Sequence, residues 1–148
     1  MTTHARQAIR EAAAALLTGL TTTGSRVHQS RLPYATLDDT LLPALLVTTE
    51  DEQVAQATVH GRLERRLTLN VAGLAKAAAT LDDTLDSIAA EVETALGASP
   101  TLSGKCTFHG LTGIRVGLDD SLEKPVGRID LAFEVLYFTN AGAPGTLA

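Results

Sequence analysis

The sequence predicts an α+β domain: a mostly antiparallel sheet of about four to five strands with two main helices packed on one face. Three observations carry that prediction. Apolar residues recur at helical spacing in two segments and alternate at strand spacing in three others. The order helix, strands, helix, strands has neither the repeating strand–helix–strand unit of a parallel sheet nor the fixed period of a solenoid.

The first helix is expected over residues 3–18, where Ile9, Ala13, Leu16, Leu17 and Leu20 recur near helical spacing while Arg6, Gln7, Arg10 and Glu11 fall elsewhere. Gly19 and the run Thr21-Thr22-Thr23-Gly24 stop it. A short segment around Val27 leads into Arg31-Leu32-Pro33-Tyr34, where proline biases its predecessor towards extended backbone, and residues 35–43 read as loop. Residues 44–49 form a continuous apolar to β-branched run, the pattern of a strand buried on both faces, and end in Glu50-Asp51-Glu52. Over 62–72, Leu63, Leu67, Leu69 and Val71 share one parity and Arg62, Glu64, Arg66, Thr68 and Asn70 the other, which is a strand with one wet face. Residues 53–61 connect the two, so that 50–62 reads as a hairpin loop or flexible arm.

The second helix begins at Thr80, with Asp83 three residues on in a carboxylate variant of the capping box and Asp82 and Asp86 near the positive helix end. Leu81, Leu85, Ile88, Val92, Ala95 and Leu96 form its buried stripe, and Gly97 followed by Pro100 supplies the stop. After an irregular stretch over 98–110, Ile114, Val116 and Leu118 alternate with Arg115 and Gly117, and Asp119-Asp120 starts a turn. The last strand, 126–138, places Ile129, Leu131, Phe133, Val135 and Tyr137 on one face and Arg128, Asp130 and Glu134 on the other, in an antiparallel hairpin with its predecessor. Residues 140–148 read as a loose tail, and the whole of 1–148 as a single domain.

Composition narrows the function. At 148 residues, roughly 68–70% of the unfolded surface can be buried, enough for a self-sufficient core. A content of 45% hydrophobic and 20% charged residues excludes a disordered chain, and no apolar segment reaches the 18 residues that would suggest a membrane span. Arg6 and Arg10 precede the apolar run 12–17 in the manner of a signal peptide, but Glu11 adjoins it, alanine dominates it and no A-x-A-like site follows. A net charge of −5 argues against a whole-domain grip on nucleic-acid phosphates, and 3% aromatic residues leave little material for base stacking. The lone Cys106 cannot form an internal disulfide, which fits a reducing compartment.

Catalytic constellations are weak. His4, His28, His60 and His109 show no two-ligand spacing, and Cys106-x-x-His109 lacks the second pair that a structural metal site needs. A nucleophilic Cys106 with His109 as base has no orienting partner; a loop thiol beside a solvated imidazole is the plainer reading. Ser103-Gly104-Lys105-Cys106 fails as a phosphate loop, because Cys106 stands where Ser or Thr belongs and Ser99 where glycine belongs. Gly110, Gly113 and Gly117 do not make a dinucleotide fingerprint and fit a strand bulge better. The pairs Asp38-Asp39, Asp82-Asp83 and Asp119-Asp120 are explained by loop polarity, helix capping and a turn. No catalytic residue, metal ligand or cofactor site is assigned. Two charged clusters remain, Glu50-Asp51-Glu52 and Arg62, Arg65 and Arg66, flanking one connection; they read either as a solvated face or as complementary docking surfaces for a ring or tube contact.

Several segments together resemble the tail terminator (minor tail protein U-like) family of siphophages. They are the first helix, Arg31-x-Pro33, the phrase Leu42-Pro43-Ala44-Leu45-Leu46-Val47-Thr48-Thr49-Glu50-Asp51-Glu52, and Arg65-Arg66-Leu67-Thr68-Leu69-Asn70-Val71. The acidic-capped helix Leu81-Asp82-Asp83-x-Leu85-x-x-Ile88-x-x-Glu91-Val92-Glu93 and the ending Val135-Leu136-Tyr137-Phe138-Thr139 complete them. Thr48 departs from the aromatic expected there in relatives. The resemblance implies a non-enzymatic virion protein at the head-proximal end of the tail, made in the host cytoplasm. Its implied partners are itself, as a homo-hexameric ring, the tail tube protein and a head completion or connector protein. DNA would pass through without specific binding, and no cofactor or membrane is involved. Another neck or tail-completion ring protein, or a small-molecule-binding or enzymatic α+β domain, are the competing readings.

Overall fold

The computed structural model describes residues 3–29, 41–119 and 125–148. The chain runs α1 (Ala5–Leu17), β1 (Val27–His28), β2 (Ala44–Gln56), β3 (Arg62–Lys76), α2 (Leu81–Gly97), β4 (Phe108–Asp119), β5 (Val126–Asn140) and β6 (Ala143–Leu147). The strands form a single sheet in the order β1-β2-β3-β5-β4, with β6 alongside the end of β5. β1 runs parallel to β2 and the other pairs are antiparallel. Two hairpins, β2–β3 and β4–β5, are thus joined through the β3–β5 ladder, which runs from Arg62↔Asn140 to Lys76↔Val126. The fold class is the expected one, with an extra short strand at each end.

Both helices lie over one face. Ile9, Ala13 and Leu17 of α1 and Leu85, Ile88, Val92 and Leu96 of α2 pack with Leu45, Val47, Leu67, Leu69, Val71, Ile129, Leu131, Phe133, Val135 and Tyr137, which share one side of the sheet. α2 sits close because two sheet positions have no side chain. A Cβ on Gly73 would lie 2.6 Å from Ile88 Cγ2, and one on Gly127 would lie 2.5 Å from Leu81 Cδ1. On the opposite face, Leu46, Ala72, Leu74 and Val126 make a smaller apolar cluster with Leu42. The start of β2 is therefore buried on both faces, as its continuous apolar run predicts.

Helix ends differ from the sequence reading. α1 begins at Ala5, with His4 as N-cap: its Nδ1 accepts the Arg6 N–H at 3.0 Å. Thr80 makes no side-chain cap, so the predicted capping box is absent. Its backbone, at φ −103° and ψ 20°, lacks the extended conformation that aims a capping hydroxyl at the first turn. Asp82 and Asp83 still sit in that turn and complement the helix dipole. Between α2 and β4, Leu102, Ser103 and Gly104 take positive φ values of 49°, 60° and 82°. Leu102 accepts this costly conformation with its side chain buried in the core.

The strands also outrun their predicted limits. β2 does not end at the acidic triplet; it bulges between Thr49 and Glu52 and continues to Gln56. The 50–62 connection is held from the β3 side, since β5 backs β3 as far as Arg62 and Ala141 N–H bonds Gly61 O at 2.7 Å beside the tip. The C-terminal residues, expected as a loose tail, form β6. β4 begins opposite Leu136 and leaves the end of that β5 edge open, and β6 occupies it, with Ala148 N–H on Phe138 O at 2.9 Å. Arg31-x-Pro33, most of the 35–43 loop, Asp38-Asp39 and Asp120 lie outside the described residues.

Candidate interaction surface

The chemical candidates do not converge. Cys106 is buried, its Sγ 3.9 Å from Pro100 O, and burial pushes its thiol up to about 11, so it is protonated at neutral pH and a poor nucleophile. His109 is buried as well, with Nε2 donating to Ser99 O at 2.9 Å and the ring edge-on to Phe133 at 6.0 Å. The loop thiol and solvated imidazole read from sequence are therefore two core side chains, each held by a backbone carbonyl. Among the described residues, no three His, Cys, Asp or Glu side chains gather where they could hold one metal ion. No described helix is long and apolar enough to cross a membrane.

The two charged clusters divide between interior and surface. Glu52 lies on the helix side of the sheet with its side chain only 5% exposed, bonded by Arg6 Nη1 at 3.0 Å, by Arg65 Nη1 at 3.1 Å and by the Tyr137 hydroxyl. Arg65 is 12% exposed and also donates Nε to Thr139 Oγ1 at 2.8 Å. A solvated face would leave both side chains in water, but this pair forms a buried knot beneath the first turn of α1. Tyr137 is held protonated, its pKa raised by burial and then by donating to Glu52. The sequence carried a signal for Arg65: it shares parity with Leu63, Leu67 and Leu69. Nothing local marks Glu52, whose partners Arg6 and Tyr137 stand 46 and 85 positions away.

Other members face outward. Glu50 and Asp51 are exposed at the β2 bulge. Arg66 lies on the helix-free face and bonds Glu134 at 2.6 Å, which raises its pKa. Arg62 stacks its guanidinium over Phe138 at 4.3 Å. That face also holds Asp130, which accepts from Asn70 at 3.0 Å and from Arg128 Nε at 2.9 Å.

The largest departure from expectation is β4. By register, Leu111, Ile114, Val116 and Leu118 lie on the helix side of the sheet, opposite Phe133, Leu131, Ile129 and Gly127 of β5. Two helices were expected to cover every apolar row, yet these four side chains are 39%, 48%, 55% and 56% exposed. α1 packs against β1, β2 and β6 and α2 against β3 and β5, where it is seated on Gly73 and Gly127, so neither helix covers β4. β4 is also the edge strand, with a bulge between Leu111 and Gly113. A long edge with a continuous exposed aliphatic row is a site of association.

No family model matches the sequence, and no curated protein matches it. Among solved structures, the chain aligns with a chain of the virion of a native gene transfer agent particle, at 21% identity over 90% of each chain and with a TM-score of 0.45.

Proposed function

We propose that this chain is a structural subunit of a phage-like virion, one that caps the tail tube as a ring, ends tube growth at the correct length and presents the surface to which the head attaches. The observation that favours an assembly role is the bare aliphatic row of β4, whose side chains need a second molecule to leave water. The virion setting rests on the sequence resemblance, centred on residues 42–52.

Termination follows from unequal faces. A tube subunit offers a binding face at each end, so rings add to rings; a cap that matches the tube on one face and not on the other stops the series. A body of this length has a radius of gyration of about 15 Å, and six such bodies in a ring leave a gap about one body wide, enough for duplex DNA. The surface charges Glu50, Asp51, Arg62 and Arg66 are the proposed contributors to ring or tube contacts, whereas Glu52 and Arg65 act from inside the subunit. Deleting the gene from its particle is expected to give overlong tubes without heads in electron micrographs. Tails of normal length would reject the terminator role, and normal tails lacking heads would point to another neck protein.

A further inference from the structure

We propose that neighbouring copies join by sheet extension, the free edge of β4 in one copy pairing with the outer edge of β2, residues 51–56, in the next. This rests on the ring reading and names the surface that closes the ring. Every open sheet has two edges. Here one is β4. The other is β2, because β1 pairs only with its Leu45 and Leu46, leaving residues 51–56 without a strand on that side among the described residues.

Strand direction makes the two edges compatible. β2 is antiparallel to β3, β3 to β5 and β5 to β4, so β2 and β4 run in opposite directions within one copy. Copies related by rotation about a ring axis keep the same sense along that axis, so where the strands run along it β4 of one meets β2 of the next antiparallel, in the geometry of the rest of the sheet. Pairing β4 with β4 of another copy would stop at two chains and leave both β2 edges open.

The same joint covers the bare row. In an extended sheet Leu111, Ile114, Val116 and Leu118 lie between α2 of their own copy and α1 of the next, which packs over β2. They present roughly 300 Å² of apolar surface, over a third of the ~800 Å² that a standard interface takes from each partner. Val54, 51% exposed on the same side of β2, adds to the apolar contact. The β4 edge has no Pro or Lys to deter pairing, and its single ionised cation, Arg115, is opposite in sign to the exposed Asp51 of β2.

The test uses cysteine pairs at matching parity: Val116→Cys combined in turn with Val54→Cys and Gln56→Cys, oxidised in the purified protein and in assembled particles. At least one pair is expected to give a ladder of covalent multimers ending in a closed ring, while Val116→Cys alone stays monomeric on a denaturing gel. A covalent dimer from Val116→Cys alone would overturn the proposal in favour of β4 pairing with itself. Rings seen by light scattering with no ladder from any pair would overturn the interface and leave the ring reading standing. A parent protein that stays monomeric even with tail tubes present would remove the ring and the interface with it. Independently, Ile114→Lys with Val116→Lys is expected to lower the ring fraction at least about tenfold with unchanged circular dichroism; persistence of rings would overturn the proposal.

Discussion

Glu52 shows how one position changes meaning on folding. In the sequence it is the third of three acidic residues, and in the fold it is the only one of them sealed from water, held by Arg6, Arg65 and Tyr137. Replacing it strands Arg65 in a largely buried site, and removing one partner of such a pair costs about 3 kcal/mol or more. Glu52→Ala is therefore expected to lower Tm sharply by calorimetry, whereas Asp51→Ala, at an exposed position, is expected to change stability by under about 0.5 kcal/mol. His4 carries a second prediction. Burial, and then the charges of Arg6 and Arg65, lower its pKa from 6.5, so the fold favours the neutral ring whose Nδ1 caps α1. The cap is complete above about pH 6.5 and is lost as pH falls through the lower folded value. His4→Asn, which caps without titrating, is expected to flatten the fall of Tm between pH 7 and 5; an unchanged slope would show that another group governs it.

At the scale of the elements, α2 is placed by what the sheet omits. Gly73→Ala would push a methyl against Ile88, whose branched Cβ and Cγ2 are anchored near the helix backbone, and overpacking of this kind costs about 1–3 kcal/mol. Gly117→Ala on β4 meets nothing within 4 Å and is expected to leave denaturation midpoints unchanged, so equal losses at the two positions would contradict this seating. Periodicity made the existence of both helices and of the four long strands legible, because burial against a common core repeats every 3.6 or 2 residues. Their ends were less legible. β2 runs on through three acids because β3 supplies its hydrogen bonds and Glu52 turns inward, and β6 forms without alternation because β5 has an open edge to fill.

At the scale of the molecule, net −5 per chain would give the proposed ring of six about −30, a field that repels duplex phosphates. Purified rings are accordingly expected not to retard duplex DNA on a gel at low salt; a salt-sensitive complex would contradict a channel that surrounds DNA without holding it. The alternation of Ile114, Val116 and Leu118 was correctly readable as a strand with one apolar face, but not as a face left bare. Alternation reports only that something covers a row, since a helix of the same chain and a neighbouring copy leave the same period. The sequence by itself determined the class, the helix stripes, the strand parities and the acidity, all of which follow from local spacing and composition. The tertiary structure alone decided that Glu52 is sealed while Asp51 is exposed, that Cys106 and His109 serve the core, and that α2 stops short of β4. Those outcomes depend on contacts between residues far apart in the chain, and no local pattern encodes which distant partner arrives.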